Sequence, residues 1–285
     1  MTAPPMPSGL AARVLAAARL ARAAGRPLPD LPPIPPDEAF GRTADAFLGL
    51  LSALPDEAWR LPVLRDLDVQ GLVGHLIGVE HDVQGALVGD LDVAGADHVA
   101  STQAVAERQA GRPPSETRQE WRAAVDRTLA MVRGADLDAV VPVHGMRLSL
   151  GALLVVRAFE LWTHENDIRR VTGLAAAAPD PPTLRLMTDL AVRLLPSGVA
   201  RLADHTTAVD VRLVLTGAGG GTWDVVLGER TVSRYVPEVV IVADAVRFCR
   251  LVAARIDPDE LDAQVSGAAL HAATVLAGAA ALALD

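Results

Sequence analysis

Apolar residues recur at helical spacing in four stretches of this chain. Phe40, Ala44, Phe47, Leu48 and Leu51 share one face of a helix predicted over about residues 37–54, with Asp37 placed to cap it. Leu72, Leu76, Val79 and Val83 form the stripe of a second helix over about 69–89. Trp121, Val125, Leu129 and Val132 mark a third over about 115–133, and a fourth covers about 149–171, ended by Gly173. Residues 90–116 are punctuated by glycine and proline and are expected to form a long connection with at most a short helix, as a bundle with a crossover allows.

The pattern changes after Ala175-Ala176-Ala177-Ala178-Pro179. A helix over about 183–195 precedes Val209-Asp210-Val211-Arg212-Leu213-Val214-Leu215, which alternates with period two. Gly217 to Gly221 reads as a turn, Trp223 to Leu227 as the returning strand, and Val239 to Val242 as a third strand. Asp244 caps a predicted helix reaching about Ala254, and a last helix covers about 268–283. The chain therefore reads as mainly α: a four-helix bundle over 37–178, then a small α+β domain over 179–285. Before them, residues 1–36 hold an Arg-rich amphipathic helix (Ser8 to Ala24) and a strap with six prolines (Pro27, Pro29, Pro32, Pro33, Pro35, Pro36).

Composition narrows the function. The net charge is −9 and every basic residue is arginine, without a long basic run, which argues against nucleic acid as a partner. The lone cysteine, Cys249, excludes a disulfide framework and fits a reducing cytoplasm; it falls on an apolar helix face and reads as packed. No apolar run has the length of a membrane span. Segment 8–24 lacks the apolar core of a signal peptide and reads as a packed helix.

The chemistry concentrates in the fourth helix. Glu160 and His164 stand four residues apart and share a helix face, with Arg157 and Asp167 on the same stripe. His75 has a similar setting on the second helix. A lone histidine or a Glu/His pair is commonly a structural or surface feature. Here the neighbouring apolar stripes demand burial, and buried polar groups need partners. A divalent ion held by His75, Glu160 and His164 satisfies three at once and leaves positions open. Asp167, one turn past His164, and Asp82, two turns past His75, are placed to accept imidazole N–H groups. His81, His98, His144, His205 and His271 have no ligand-spaced partners and read as surface or core residues, His144 lying just before the fourth helix. The Gly217–Gly221 run precedes no helix and so cradles no phosphate.

These residues resemble the mycothiol-dependent maleylpyruvate isomerase family. The resemblance lies in Ala58-Trp59, in Arg65-Asp66-Leu67-Asp68-Val69-Gln70-Gly71-Leu72-Val73-Gly74-His75-Leu76 and in Gly145-Met146-Arg147-Leu148-Ser149-Leu150-Gly151-Ala152-Leu153-Leu154. It continues in Phe159-Glu160-Leu161-Trp162-Thr163-His164-Glu165-Asn166-Asp167-Ile168-Arg169, and Val240 to Val252 looks like the family's C-terminal domain. It implies that the bundle is DinB-like and that the family's triad falls on His75, Glu160 and His164. It also implies that mycothiol is the thiol, acting with a divalent metal, expected to be zinc. Leu67-Asp68 stands where the family often carries Trp-Thr, and the N-terminal helix and strap are not usual for it, which leaves the substrate open.

The favoured reading is a cytoplasmic enzyme that uses the metal and the thiol for isomerisation or S-transfer on a small electrophilic substrate, without nucleic-acid or membrane partners. Asp167 is assigned to orient His164, and Arg255 to hold a substrate carboxylate. A metal-dependent hydrolase and a non-catalytic metal-binding bundle stay open beside it.

Overall fold

The structure is a computed structural model that describes residues 31–202, 208–228 and 236–283. The predicted helix at 8–24, Pro27, Pro29 and His205 lie outside the described residues. Two compact units divide at Leu190/Ala191, within a helix rather than ahead of it.

In the first unit four long helices share one core: α1 (Pro36–Ala53), α2 (Val69–Leu87), α5 (Pro114–Val132) and α6 (Leu150–Val171). They follow the apolar spacing closely. Phe40, Phe47, Leu51, Leu72, Leu76, Trp121, Val125 and Leu154 are all withdrawn from solvent, each side chain gaining about 1.5–3 kcal/mol of transfer free energy on full burial. α1 runs along α6, and α2 packs against α5. The start of α1 differs from expectation. Pro35 is its cap residue and Pro36 its first helical residue, so Asp37 sits inside the first turn, where its charge meets the helix dipole.

The connection between α2 and α5 is more ordered than its composition suggests. It holds a one-turn helix, α3 (Leu91–Ala94), and a twelve-residue helix, α4 (His98–Gln109). α4 packs on α2 because two glycines on α2 leave room for it. A Cβ on Gly74 would lie 2.8 Å from the Ala106 Cα, and one on Gly78 2.8 Å from the Thr102 Cβ. Both distances are shorter than atoms tolerate, so only glycine permits this approach.

Two small hairpins precede α2 and α6. β1 (Pro62–Leu64) pairs with β2 (Leu67–Asp68) ahead of α2, and β3 (Val140–Val143) pairs with β4 (Met146–Ser149) ahead of α6. The second turns on His144 and Gly145, with φ of +50° and +72°. A two-residue loop with both φ positive matches the twist of antiparallel strands, and glycine makes it inexpensive at the second position.

The division between units falls inside α7 (Pro181–Ala200). The second unit holds a four-stranded mixed sheet of β5 (Val209–Thr216), β6 (Gly221–Leu227), β7 (Val239–Asp244) and β8 (Gln264–Gly267), in the order β6-β5-β7-β8. β5 and β6 form the antiparallel hairpin around the glycine-rich turn, and β7 lies parallel to β5. Asp244 caps α8 (Ala245–Val252) by accepting from the Arg247 N–H at 3.0 Å. α8 and α9 (Ala269–Ala280) pack on β7. Cys249 is buried there, and desolvation pushes its thiol far above the ordinary value. Among the described residues no helix is long and apolar enough to cross a membrane.

Candidate metal centre

His75 lies in the second turn of α2, a helix started by Asp68, whose carboxylate accepts from the Gly71 N–H at 2.7 Å. The close approach of α4 sets the Thr102 hydroxyl 2.7 Å from His75 Nδ1. That hydroxyl lies 3.1 Å from the carbonyls of His98 and Val99, to which it donates. Its oxygen therefore accepts from His75 Nδ1–H, and the ring's lone pair is on Nε2. His75 Nε2 lies 3.5 Å from Glu160 Oε1.

His98 reaches the same carboxylate oxygen. It opens α4, capped by Asp97, which accepts from the N–H groups of Val99 and Ala100 at 3.1 and 2.8 Å. His98 Nε2 is 3.6 Å from Glu160 Oε1, and its ring meets that of His75 edge-on, with centroids 5.0 Å apart. Behind it, His98 Nδ1 is 3.3 Å from His144 Nδ1, and His144 Nε2 is 2.9 Å from Asp82 Oδ2. Ser101 donates to the same Asp82 oxygen at 2.7 Å. Burial works to raise the Asp82 carboxyl, but the hydrogen bonds from His144 and Ser101 outweigh it and hold Asp82 below the usual range. An ionised Asp82 makes His144 Nε2 the donor. With His144 donating from Nε2 and accepting at Nδ1, His98 donates from Nδ1 and its lone pair too is on Nε2. Burial, reinforced by the nearby His75, His144 and Arg157, pushes the His98 imidazole down to about 3.

Glu160 is fixed from the other side. Its Oε2 accepts from Arg157 Nη1, while Oε1 is buried without a hydrogen-bond donor among the described residues. Arg157 is itself buried, and its Nε and Nη2 donate to Glu80 Oε1 at 3.1 and 2.8 Å. The other Glu80 oxygen accepts from Thr128 at 2.7 Å. Glu160 is thus held at the end of a closed, buried chain of charged hydrogen bonds.

Three acceptors therefore face one another: His75 Nε2, His98 Nε2 and Glu160 Oε1, all within 4.8 Å. The nitrogen–oxygen distances of 3.5 and 3.6 Å are too long for good hydrogen bonds. They are close to the spacing of about 3.4 Å between neighbouring ligand atoms around tetrahedral zinc. Lone pairs turned toward a carboxylate repel unless a cation lies among them, and a borderline ion with nitrogen and oxygen ligands suits this donor set.

The sequence-derived residues distribute as follows. His75 and Glu160 meet. His164 is buried beside them, its ring centroid 6.0 Å from that of His75, and its Nδ1 is 3.1 Å from Asp167 Oδ2, the contact assigned to Asp167. Asp82 contacts His144 and Ser101, while the hydroxyl beside His75 Nδ1 is that of Thr102, correcting the pairing expected along α2. Arg255 lies in the other unit, just past α8, and donates to the Ala253 carbonyl at 2.9 Å. His98 and His144, read from spacing as ordinary surface or core residues, belong to the cluster. Two signals pointed to them: the Gly74/Gly78 pair that admits α4, and the His144-Gly145 turn between two strand-like runs.

Residues 40–169 match the family described as the mycothiol maleylpyruvate isomerase N-terminal domain. Two solved structures share the fold. One is mycothiol-dependent maleylpyruvate isomerase, with a TM-score of 0.56 and 14% identity over 81% of this chain and 93% of that chain. The other is a histidine-to-alanine mutant of mycothiol-dependent maleylpyruvate isomerase, with a TM-score of 0.55 and the same identity and coverage. No curated protein matches the chain.

Proposed function

We propose a function for this chain on the match of residues 40–169 to the mycothiol maleylpyruvate isomerase N-terminal domain. It is a divalent-metal-dependent enzyme that uses a low-molecular-weight thiol, mycothiol, for isomerisation or S-transfer on a small electrophilic substrate. His75, Glu160 and His164, the set implied by the resemblance, hold the ion, which is zinc. The observation that carries this reading is the buried Glu160 Oε1, which finds no hydrogen-bond donor among the described residues and is faced by imidazole nitrogens.

The chain's own residues prepare the site. Arg157 holds Glu160 through Oε2 and leaves Oε1 turned inward. Thr102 holds the His75 ring in the tautomer that presents Nε2, and Asp167 orients His164 from its Nδ1. When bound, the ion supplies the positive charge at which a thiol loses its proton, giving a strong nucleophile for addition to an electrophilic carbon.

Equilibrium dialysis against zinc, paired with a thiol-dependent turnover assay, tests the reading. The chain is expected to bind one equivalent, to lose it on Glu160→Ala, and to turn over electrophilic substrates only when a thiol is present. A folded chain that takes up no zinc overturns the reading. Zinc-dependent hydrolysis without thiol replaces it with a hydrolase, and zinc without any turnover leaves a binding bundle.

A further inference from the structure

We propose that His98 is a ligand to the same ion, and that His144 and Asp82 are the positioning residues that aim it. The inference rests on the metal reading above and extends it to a side chain outside the set that the resemblance implies. His98 Nε2 stands as close to Glu160 Oε1 as His75 Nε2 does, 3.6 against 3.5 Å. If the site needed only α2 and α6, nothing would require a third imidazole to turn its lone pair into it. Burying a ring there without a partner for Nε2 would cost free energy.

The chain behind His98 makes the orientation specific. Asp82 Oδ2 on α2 lies 2.9 Å from His144 Nε2, and His144 Nδ1 lies 3.3 Å from His98 Nδ1. This carboxylate–imidazole–imidazole series fixes which nitrogen of His98 faces inward, as a hydrogen bond to the remote nitrogen does for histidine ligands in general. The series is held at both ends. Asp82 also receives the Ser101 hydroxyl from α4. The hairpin tip carrying His144 is tied to α3, where the N–H groups of His144 and Gly145 donate to the carbonyls of Val93 and Ala94 at 3.2 and 2.8 Å. His144 occupies a backbone conformation with φ of +50°, uncommon outside glycine although histidine, like asparagine and aspartate, adopts it more readily than most residues. Such local cost is retained where the surrounding contacts over-determine the position. The ion therefore draws ligands from three helices, α2, α4 and α6. The inter-helix connection, not only the long helices, sets its coordination.

The experiment compares the whole chain with His98→Ala, Asp82→Asn and His144→Asn, the last keeping a residue that tolerates positive φ. Zinc affinity is read by competition with a chromophoric chelator, and the ligand field by the visible spectrum of the cobalt-substituted protein. Circular dichroism and thermal melting in excess chelator report folding separately. Asp82→Asn and His144→Asn are expected to weaken zinc by roughly 10- to 100-fold, as changes behind a ligand do. His98→Ala should weaken it more and change the cobalt spectrum. The proposal is overturned if His98→Ala keeps both wild-type affinity and the wild-type spectrum while His75→Ala loses the ion; the metal reading then stands without His98. If the folded wild-type chain binds neither zinc nor cobalt, both fall together.

Discussion

His75 and Glu160 stand on helices of 19 and 22 residues whose apolar stripes build the main core, whereas His98 opens a helix of 12 and His144 tips a two-residue hairpin turn. The two halves of the cluster are stabilised differently. The long helices are held by packing that has nothing to do with the site. The connection-borne half has a narrower apolar contact, through Val105 and Ala106, and leans on two close glycine approaches, helix caps and hydrogen bonds such as those of Gln70 to the carbonyls of Gln109 and Arg112. Substitutions should therefore separate them. Losing a long-helix group should cost the site its ion while leaving the fold, and loosening the connection should disturb the site by degrees.

The largest effect is expected from ligand loss on the long helices. His164→Ala should remove most of the bound metal while the helical circular dichroism stays unchanged, because α6 keeps its apolar stripe. Elemental analysis of protein purified without chelator checks this, and stoichiometric metal in the folded variant would remove His164 from the ligand set. Next comes the buried ion network. Arg157→Ala leaves the charge of Glu80 buried without its partner, and denaturant unfolding of the metal-free protein should show a loss of about 3–5 kcal/mol. A loss below about 1 kcal/mol would mean that water or rearrangement satisfies Glu80.

The connection gives the intermediate case. Gly78→Ala would press a methyl group against Thr102, and overpacking of this kind costs about 1–3 kcal/mol. It should also weaken zinc by displacing α4, with the long helices intact. Unchanged stability and affinity would show that α4 moves away freely. The smallest effect belongs to the second unit. Arg212 donates bidentately to Asp224 across the β5–β6 pair at 2.7 and 2.8 Å, with Asp224 partly exposed. Arg212→Ala should cost roughly 0–1 kcal/mol and leave zinc affinity untouched.

The same contrast explains what the sequence could disclose. Long helices carry enough turns for apolar periodicity to place them within a residue or two, and the Glu160/His164 spacing follows from helix geometry alone. α4 buries only Thr102, Val105, Ala106 and Gln109 and carries Ser101, Gln103, Glu107 and Arg108 among them, so it shows no apolar stripe. Its position is written on α2, in the absence of side chains at Gly74 and Gly78. β8 was equally hidden, because Gln264 to Gly267 are all exposed and show no alternation of buried and open positions. The partner of His75 followed from tertiary approach. Asp82 shares the helix with His75, but the hydroxyl beside His75 Nδ1 belongs to Thr102 on a neighbouring helix, a pairing that spacing along one helix does not encode.

X-ray absorption at the zinc edge of the metal-loaded chain, before and after addition of a low-molecular-weight thiol, reads both the ion's ligands and the arrival of the thiol. Only nitrogen and oxygen neighbours at about 2.0–2.1 Å are expected at first, with imidazole scattering beyond them, and one sulfur at about 2.3 Å once the thiol is present. A spectrum in which no sulfur appears on thiol addition, or a chain that holds no zinc to measure, would contradict the thiol-dependent metal reading.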